Sequence, residues 1–278
     1  MNNKVWFITG VSGGFGRVLA EQAAQRGDKV IGTVRQQQQL EAFNAISPGN
    51  TFAYLMDVTN ADGVYATIAA AIQHLGRIDV LVNNAGYGFL GATEEATMAD
   101  FREAMETNFF GALQVTRAVL PYMRQQGSGH IVQMSSAAGF RSTQGFGVYN
   151  ASKFALEGMS EALALEVKPL GIHVTIVEPG PFRTNFAGSS IKSAKLEMPE
   201  YEQTARVFKN TIQGYAGQQE GDPEKAAQVI LQVVDAANPP LRLPLGSTAI
   251  MAVRKKLEQV EHDIQAWETI AANTSFTT

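Results

Sequence analysis

The stretch Val5-Trp6-Phe7-Ile8-Thr9-Gly10-Val11-Ser12-Gly13-Gly14-Phe15-Gly16 decides how the rest of the chain is interpreted. Its first part is a continuous apolar run, which is typical of a strand buried on both faces of a parallel sheet. Its second part is rich in glycine and leads into a helical pattern that ends at Gly27. A helix that begins directly after a glycine turn offers unpaired backbone N–H groups to an anion such as phosphate. The glycine spacing differs from G-x-G-x-x-G, so the prediction rests on the position of the turn, and an ordinary strand-to-helix turn is the alternative.

Strand and helix patterns alternate along the rest of the chain. Apolar runs predict further strands at 29–34, 51–56, 79–82, 130–134, 172–177 and 241–244. Helical patterns separate these runs, one of them over residues 61–75. This order predicts an α/β fold with one doubly wound parallel sheet of the Rossmann type, helices on both faces, and a single domain over residues 1–278. Ligands of such sheets bind at the carboxyl ends of the strands.

Two segments are interpreted separately. Residues 185–219 follow no clear period and carry scattered aromatic and small polar side chains, so we interpret them as a substrate lid. After them, Asp222-Pro223-Glu224 predicts a helix start, with a capping aspartate and a proline in the first turn. Residues 247–270 are predicted to form a helical, charge-mixed C-terminal tail.

Composition excludes several classes of function. The 278 residues contain no cysteine, so disulfides, thiolate nucleophiles and cysteine-ligated metals are excluded. The four histidines are scattered without ligand spacing, and we expect no metal. A net charge of −4 without a basic block argues against nucleic acid as a partner. No stretch approaches the roughly 18 apolar residues of a membrane helix, so we expect no membrane partner and a cytoplasmic location.

Tyr149 and Lys153 are four residues apart in a predicted helix, so both side chains lie on one face. A nearby ammonium group favours the phenolate and lowers the pKa of tyrosine. Bringing that pKa near neutrality takes about 3 to 4 kcal/mol, whereas one surface ion pair commonly supplies under about 1 kcal/mol. The pair therefore predicts a dry pocket and a second positive charge, for which the oxidised nicotinamide ring is suitable. Taken alone, a surface tyrosine and a solvated lysine is the commoner explanation.

Two strand ends predict contacts to the adenosine part of a dinucleotide. Arg35 stands just past the second strand, where an acidic residue selects NAD and an arginine accommodates the 2′-phosphate of NADP. The sequence therefore favours NADP, with a solvated arginine as the alternative. Asp57 and Val58 follow the third strand and are placed to meet the adenine.

A long helical pattern from 98 to 125 is interrupted at residues 107–111, which include Asn108. Asparagine and glycine cost several tenths to about 1 kcal/mol relative to alanine inside a helix, so the interruption requires a reason. Ser135 and Ser136 end the fifth strand. Because neighbouring strand residues point to opposite faces, only one of these serines can face a substrate.

These residues together resemble the short-chain dehydrogenase/reductase family across nearly the whole chain. The matching pieces, in order, are Thr9-Gly10-x-x-x-Gly14-x-Gly16, Asp57, Asn83-Asn84-Ala85-Gly86, Asn108, Ser136, Tyr149-x-x-x-Lys153 and Pro179-Gly180. Seven such pieces in the right order are far more specific than any one of them.

The resemblance implies a catalytic set and a cofactor site. Tyr149 would donate a proton to a carbonyl, Lys153 would hold the nicotinamide ribose and lower the tyrosine pKa, and Ser136 would bond the carbonyl oxygen. Asn108 would bind a water that links Lys153 to solvent. Thr184 resembles the family's contact to the nicotinamide carboxamide, and Arg35 its NADP determinant. The implied cofactor-binding residues are Gly10, Ser12, Gly14, Phe15, Gly16, Arg35, Asp57, Val58, Asn84, Ala85, Gly86, Tyr149, Lys153, Pro179, Gly180, Phe182 and Thr184.

Aromatic side chains in the predicted pocket loops favour a bulky or apolar ketone, aldehyde or secondary alcohol as substrate. These residues are Tyr87, Phe89, Phe140, Phe146, Phe182, Phe186, Tyr201 and Phe208, and we expect about half of them to be core residues instead. The enzymatic alternative is a 3-oxoacyl carrier reductase, with Arg141, Arg183 and Lys192 as phosphopantetheine contacts. The other alternative is a sensor that binds NADPH without turnover. A homodimer or homotetramer is expected by analogy with the family.

Overall fold

The computed structural model describes residues 3–188 and 190–276. Its central feature is a seven-stranded, wholly parallel sheet with the strand order β3-β2-β1-β4-β6-β7-β9, and β5 pairs with β8 in a second, two-stranded sheet. The strands are β1 (Val5–Ile8), β2 (Lys29–Val34), β3 (Thr51–Leu55), β4 (Val80–Asn83), β5 (Gly88–Leu90), β6 (Gly129–Met134), β7 (Ile172–Pro179), β8 (Ile191–Ser193) and β9 (Arg242–Leu245). The order reverses between β1 and β4, which is where open α/β sheets form a ligand crevice.

Helices cover both faces of the large sheet. The α-helices are α1 (Gly14–Gln25), α2 (Gln38–Asn44), α3 (Ala61–Leu75), α4 (Met98–Met105), α5 (Ala112–Gln126), α6 (Gly147–Val167), α7 (Val207–Gly214), α8 (Pro223–Asp235) and α9 (Ser247–Ala271). In β1, Trp6 and Ile8 pack in a core cluster with residues of α1 and α8. The intervening Phe7 packs in a second cluster with residues of α3, α5 and α6. The α/β class and the double-sided sheet that the sequence predicts are confirmed.

Helix boundaries follow from side chains that satisfy the first free N–H groups. The Asn60 side chain accepts from the Gly63 N–H at 3.1 Å and starts α3. The Asp222 side chain accepts from the Glu224 N–H at 2.8 Å, and α8 begins at Pro223 as the sequence predicts. A six-residue π-helix, Glu106–Gly111, separates α4 from α5 and coincides with the predicted interruption. π-helical turns occur frequently at functional sites.

The structure corrects two expectations. The sixth predicted strand, 172–177, continues as β7 to Pro179, because β9 pairs beside it with Pro179 in register with Leu245. Pro179 occupies the last position of the strand, where its missing N–H group interrupts no further ladder. The segment 185–219 is also more regular than its sequence pattern indicates, since it contains β8, a π-helical turn at Glu202–Arg206 and α7.

Candidate active site

Two adjoining cavities lie at the carboxyl ends of the sheet strands. The larger is a cleft of about 1200 Å3 that runs from the glycine turn to the ends of β2 and β3. The smaller is a pocket of about 210 Å3 beside Tyr149. The residues shared by both cavities are Phe15, Asn84, Gly86, Tyr87, Thr184 and Phe186. A molecule with one end in the cleft therefore reaches the pocket with its other end.

The glycine turn is shaped to receive an anionic group. Gly10 has φ +71°, and Gly14, which starts α1, has φ +57°. A Cβ atom on Gly16 would lie 2.4 Å from the Asn84 Nδ2 atom, so this glycine allows Asn84 to hold the turn. The Asn84 amide donates to the carbonyl oxygens of Thr9 at 2.9 Å and Gly10 at 3.0 Å. No side chain caps the N-terminus of α1 among the described residues, so its backbone N–H groups face the cleft and fit a pyrophosphate.

The far end of the cleft holds the predicted adenosine contacts. Arg35 is exposed there, and within residues 3–188 and 190–276 no carboxylate pairs with its guanidinium. The Asp57 carboxylate is oriented by the Thr59 N–H at 2.9 Å and the Thr59 hydroxyl at 2.8 Å. A free guanidinium at this position suits a phosphate group.

Tyr149 and Lys153 lie on one face of α6 and are both buried. The Lys153 Nζ atom is 5.8 Å from the centroid of the Tyr149 ring and donates to the Met134 carbonyl oxygen at 2.7 Å. The Tyr149 ring packs against Phe146 and Phe186, at centroid distances of 5.0 and 5.6 Å. The dry pocket that the pair requires is therefore present.

The protein groups alone do not acidify the phenol. Burial raises the pKa of Tyr149 well above its usual value, the neighbouring Ser136 hydroxyl opposes this rise, and the negative charge of Glu157 adds to it. Burial also lowers the pKa of Lys153 to about 8, against the opposing effect of Glu157. In the protein alone, the expected lowering of the tyrosine pKa by Lys153 is not found, because Lys153 is not among the groups that shift it and burial raises it. An added positive charge beside the phenol would lower this pKa.

Ser135 and Ser136 both line the pocket, but their hydroxyl groups bond different partners. The Ser136 hydroxyl accepts from the Ala138 N–H at 3.1 Å. The Ser135 hydroxyl instead donates to the carboxylate of Glu157 beneath the site. Glu157 and the fully buried Glu178 both pair with Arg242. This cluster joins α6, β7 and β9. It could not be predicted from the sequence, because its members are far apart in the chain.

Asn108 lies in the π-helix and is 1% exposed. Its side-chain oxygen accepts from the Tyr87 N–H at 3.0 Å. Its amide donates to the Tyr87 carbonyl oxygen at 2.9 Å and to the Ser152 hydroxyl at 3.0 Å. Asn108 therefore connects the π-helix to α6 at the residue before Lys153. The sequence did not indicate that Tyr87 and Ser152 are the hydrogen-bond partners of Asn108.

The structure brings most predicted site residues to the two cavities. Asn108 and Gly16 are the two that line neither, and both lie directly behind the lining residues. Several polar residues along the cleft were not predicted from the sequence, because they lie beyond the end of β2 or at the end of α4. These are Gln36, Gln39, Arg102, Glu103 and Glu106.

Half of the eight predicted aromatic residues line the pocket, and fewer of the others are core residues than expected. Four of the eight line the pocket, namely Tyr87, Phe146, Phe182 and Phe186. Phe208 packs behind Phe146 at a centroid distance of 5.0 Å. Phe89 is a core residue, Phe140 lies under the Arg242 guanidinium, and the Tyr201 hydroxyl bonds Glu94. Two further aromatic residues, Phe15 and Tyr215, complete the pocket.

The three cations considered as carrier contacts are dispersed. Lys192 lies along the cleft, pairs with Glu103 at 2.9 Å and stands 4.6 Å from the Tyr87 ring centroid. Arg183 and Arg141 are exposed and line neither cavity.

The fold and the cleft together define a nucleotide-binding α/β enzyme. The family model described as short chain dehydrogenase matches residues 4–195, and the chain belongs to this family of oxidoreductases, which act on CH–OH and carbonyl groups. Among relatives, the chain is 38% identical over 269 residues to oxidoreductase BOA17 of Botryotinia fuckeliana, covering 96% of this chain and 98% of that one. It is 37% identical to 3-ketodihydrosphingosine reductase of Bacteroides thetaiotaomicron, with coverages of 88% and 89%. It is 36% identical to human retinol dehydrogenase 8, with coverages of 84% and 79%.

Solved structures show the same fold. A short-chain dehydrogenase from Streptomyces avermitilis is 42% identical and superimposes with a TM-score of 0.94 over 99% of this chain and 100% of that chain. A serine dehydrogenase complexed with NADP+ is 26% identical, with a TM-score of 0.75 over 87% and 94%. A Burkholderia phymatum member in complex with NAD is 24% identical, with a TM-score of 0.82 over 94% and 95%. The serine dehydrogenase structure contains NADP+, which supports a nicotinamide cofactor here.

One prediction concerns the proton of Lys153. Its pKa of about 8 lies below the usual value of 10.5, so between these pH values the unfolded chain holds a proton that the folded chain has released. The free energy of unfolding should therefore rise with pH in this window, by up to about 3 kcal/mol relative to Lys153→Met. Urea unfolding of both proteins at pH 7.5 to 10.5 measures the difference, and Lys195→Met, at an exposed lysine, is the control. A constant difference between wild type and Lys153→Met would contradict a desolvated ammonium group.

Proposed function

We propose that the protein transfers hydride between NADP(H) and a bulky or apolar ketone or aldehyde, or the corresponding alcohol, with Tyr149 as the acid and base. The observation that carries this proposal is the convergence of Tyr149, Ser136 and Lys153 on one pocket that several aromatic side chains line. A carbonyl seated there would find a proton donor and a hydrogen-bond donor on one side and apolar contacts on the others.

The preference for NADP rests on Arg35. Its guanidinium stands at the end of β2 without a carboxylate partner among the described residues and faces the adenosine end of the cleft. No acidic residue occupies positions 34 to 36, where NAD-selective folds place one to bond the ribose hydroxyls. Ser12 and the backbone of the glycine turn would hold the phosphates, and Thr184 and Phe182 would flank the nicotinamide.

Residues of the chain supply the proton that the carbonyl oxygen receives. When bound, the reduced nicotinamide supplies the hydride to the carbonyl carbon. The Tyr149 hydroxyl gives its proton to the carbonyl oxygen, and the Ser136 hydroxyl stabilises the negative charge that develops there. Lys153 keeps a positive charge near the phenol that loses the proton. Asn108 fixes the backbone of Tyr87 and the first turns of α6, so it positions the Lys153 ammonium group. We further propose that it holds a water next to Lys153.

The preference for an apolar substrate has two supports. Phe146, Phe182, Phe186 and Tyr215 form the walls around Tyr149, and Ile212 of α7 closes one side. Two relatives are also named for 3-ketodihydrosphingosine and retinol, which are large apolar molecules. We further propose that segment 185–219 acts as the substrate lid, because Phe186, Ile212 and Tyr215 all belong to it. A cytoplasmic homodimer or homotetramer stays a prediction.

A substrate panel separates the proposal from its alternatives. Purified protein with NADPH would be tested on bulky apolar ketones, small polar ketones and a 3-oxoacyl thioester, with absorbance at the nicotinamide band as the readout. Fastest turnover of the bulky apolar ketones supports the proposal. Fastest turnover of the thioester favours the carrier reductase, and NADPH binding with no turnover across the panel favours the sensor.

Tyr149→Phe should retain cofactor binding and lose catalysis. The ring keeps its packing against Phe146 and Phe186 but has no proton to give, so we expect at least a roughly 100-fold lower rate on the best panel substrate. NADPH fluorescence titration should give an unchanged dissociation constant. Turnover equal to wild type would refute the role of Tyr149.

Arg35→Ala should weaken NADPH binding by about 1.5 to 3 kcal/mol, the scale of a hydrogen bond to a charged group, and change NADH binding little. Fluorescence titration with both cofactors measures this, and Arg124→Ala, at an exposed arginine on α5, is the matched control. Equal losses for the two cofactors would end the NADP assignment.

A further inference from the structure

The helix α9 leaves the body of the protein after about three turns. Ala249 near its start is fully buried and Val253 is half-buried, but every residue from 257 to 271 is exposed. Isolated helices of this length are marginally stable in water, and most helical stability in proteins comes from packing of an apolar face. The projecting part of α9 therefore requires a partner surface.

Although the exposed Met251 and Ile270 lie outside it, most apolar residues of α9 form one seam. They recur at alternating spacings of three and four residues, which is the a and d pattern of a coiled coil. The seam consists of Ile250, Val253, Leu257, Val260, Ile264, Trp267 and Ala271. Ile264 and Trp267 are 51% and 64% exposed, which is unusual for side chains of this size at consecutive seam positions. The pattern extends over three heptads and continues onto the half-buried start of the helix.

The charged residues beside the seam indicate what kind of surface can pack against it. Arg254 and Lys256 flank its first half, whereas Glu261 and Asp263 flank its second half. Two copies of α9 packed antiparallel, with Leu257 of each opposite Val260 of the other, place Arg254 near Glu261 and Lys256 near Asp263. Each pair occurs twice by symmetry, and all four are attractive.

A parallel pair is less favourable. It would keep Lys256 near Glu261 but place Asp263 near Glu268, so attraction at one end is offset by repulsion at the other. An anionic membrane surface is also disfavoured, because the projecting half of the helix is the acidic half. We propose that α9 is a self-association surface on which a second copy of this chain docks antiparallel.

The first test measures mass in solution. Sedimentation velocity of the full chain should show an even-numbered assembly, and Ile264→Asp should halve its mass, because it places a charge in the middle of the seam. Thr269→Asp adds the same charge on the opposite face of the same helix and should leave the mass unchanged. Unaltered NADPH binding in both variants excludes misfolding of the α/β body as the cause.

The second test determines orientation. Because the chain has no cysteine, Thr269→Cys provides one site for a spin label. An antiparallel pair in the stated register separates the two labels by about 30 Å along the helix axis, at 1.5 Å per residue, whereas a parallel pair holds them within about 20 Å. A distance of more than about 30 Å in pulsed electron resonance supports the proposal, because the lateral separation of the labels adds to the axial one.

Four results would overturn the proposal. The first is a wild type that is monomeric at all concentrations, and the second is an assembly that Ile264→Asp leaves intact. The third is a label distance within about 20 Å. The fourth is a monomer that cosediments with phosphatidylcholine/phosphatidylserine vesicles and loses this binding in Ile264→Asp. The first two exclude self-association through α9, the third excludes the antiparallel orientation, and the last assigns the seam to a membrane surface.

Discussion

The burial of the Lys153 ammonium group beneath Tyr149 is the constraint on which the site depends. A charged amine in a dry pocket is costly unless it is hydrogen-bonded, and here the Met134 carbonyl oxygen accepts from it at 2.7 Å. That carbonyl belongs to the last residue of β6, so the lysine is positioned directly by the sheet edge. The same burial keeps the pKa of Tyr149 high and that of Lys153 low. The pocket is thus poised to respond to an added positive charge.

The doubly wound sheet explains why these groups meet. The ends of β1 and β4 adjoin at the reversal of strand order, and Asn84 links them by holding the glycine turn. The π-helix inserts Asn108 between β4 and α6, where its side chain bonds both Tyr87 and Ser152. Beneath the pocket, Arg242 pairs with Glu157 and Glu178, and burial still raises the pKa of both carboxyl groups, that of Glu178 to about 7. Residues from distant parts of the chain therefore meet at one edge of the sheet, where its parallel strands end.

Local patterns explain how much was predictable. Buried parallel strands are continuous apolar runs and helix starts carry caps, so the sequence located the strands, α3 and α8 closely. The Tyr149 and Lys153 pair was predictable because helical spacing alone places both on one face. The two-stranded sheet of β5 and β8 was not, since three-residue strands 100 residues apart leave no periodic signal. The Glu157, Glu178 and Arg242 cluster was missed for a similar reason. The direction of the Tyr149 pKa shift required the depth of burial, which spacing does not reveal.

The central claim is that the cofactor's positive charge, added to that of Lys153 in a dry pocket, turns an inert buried phenol into an acid. Tyrosine labelled with 13C at Cζ, with Tyr149 assigned by comparison with Tyr149→Phe, allows its ionisation to be followed by NMR with and without NADP+. We expect the Tyr149 phenol to stay protonated beyond about pH 10 in the protein alone and to ionise at least about 2 pH units lower in the NADP+ complex. The same ionisation pH in both states would contradict it.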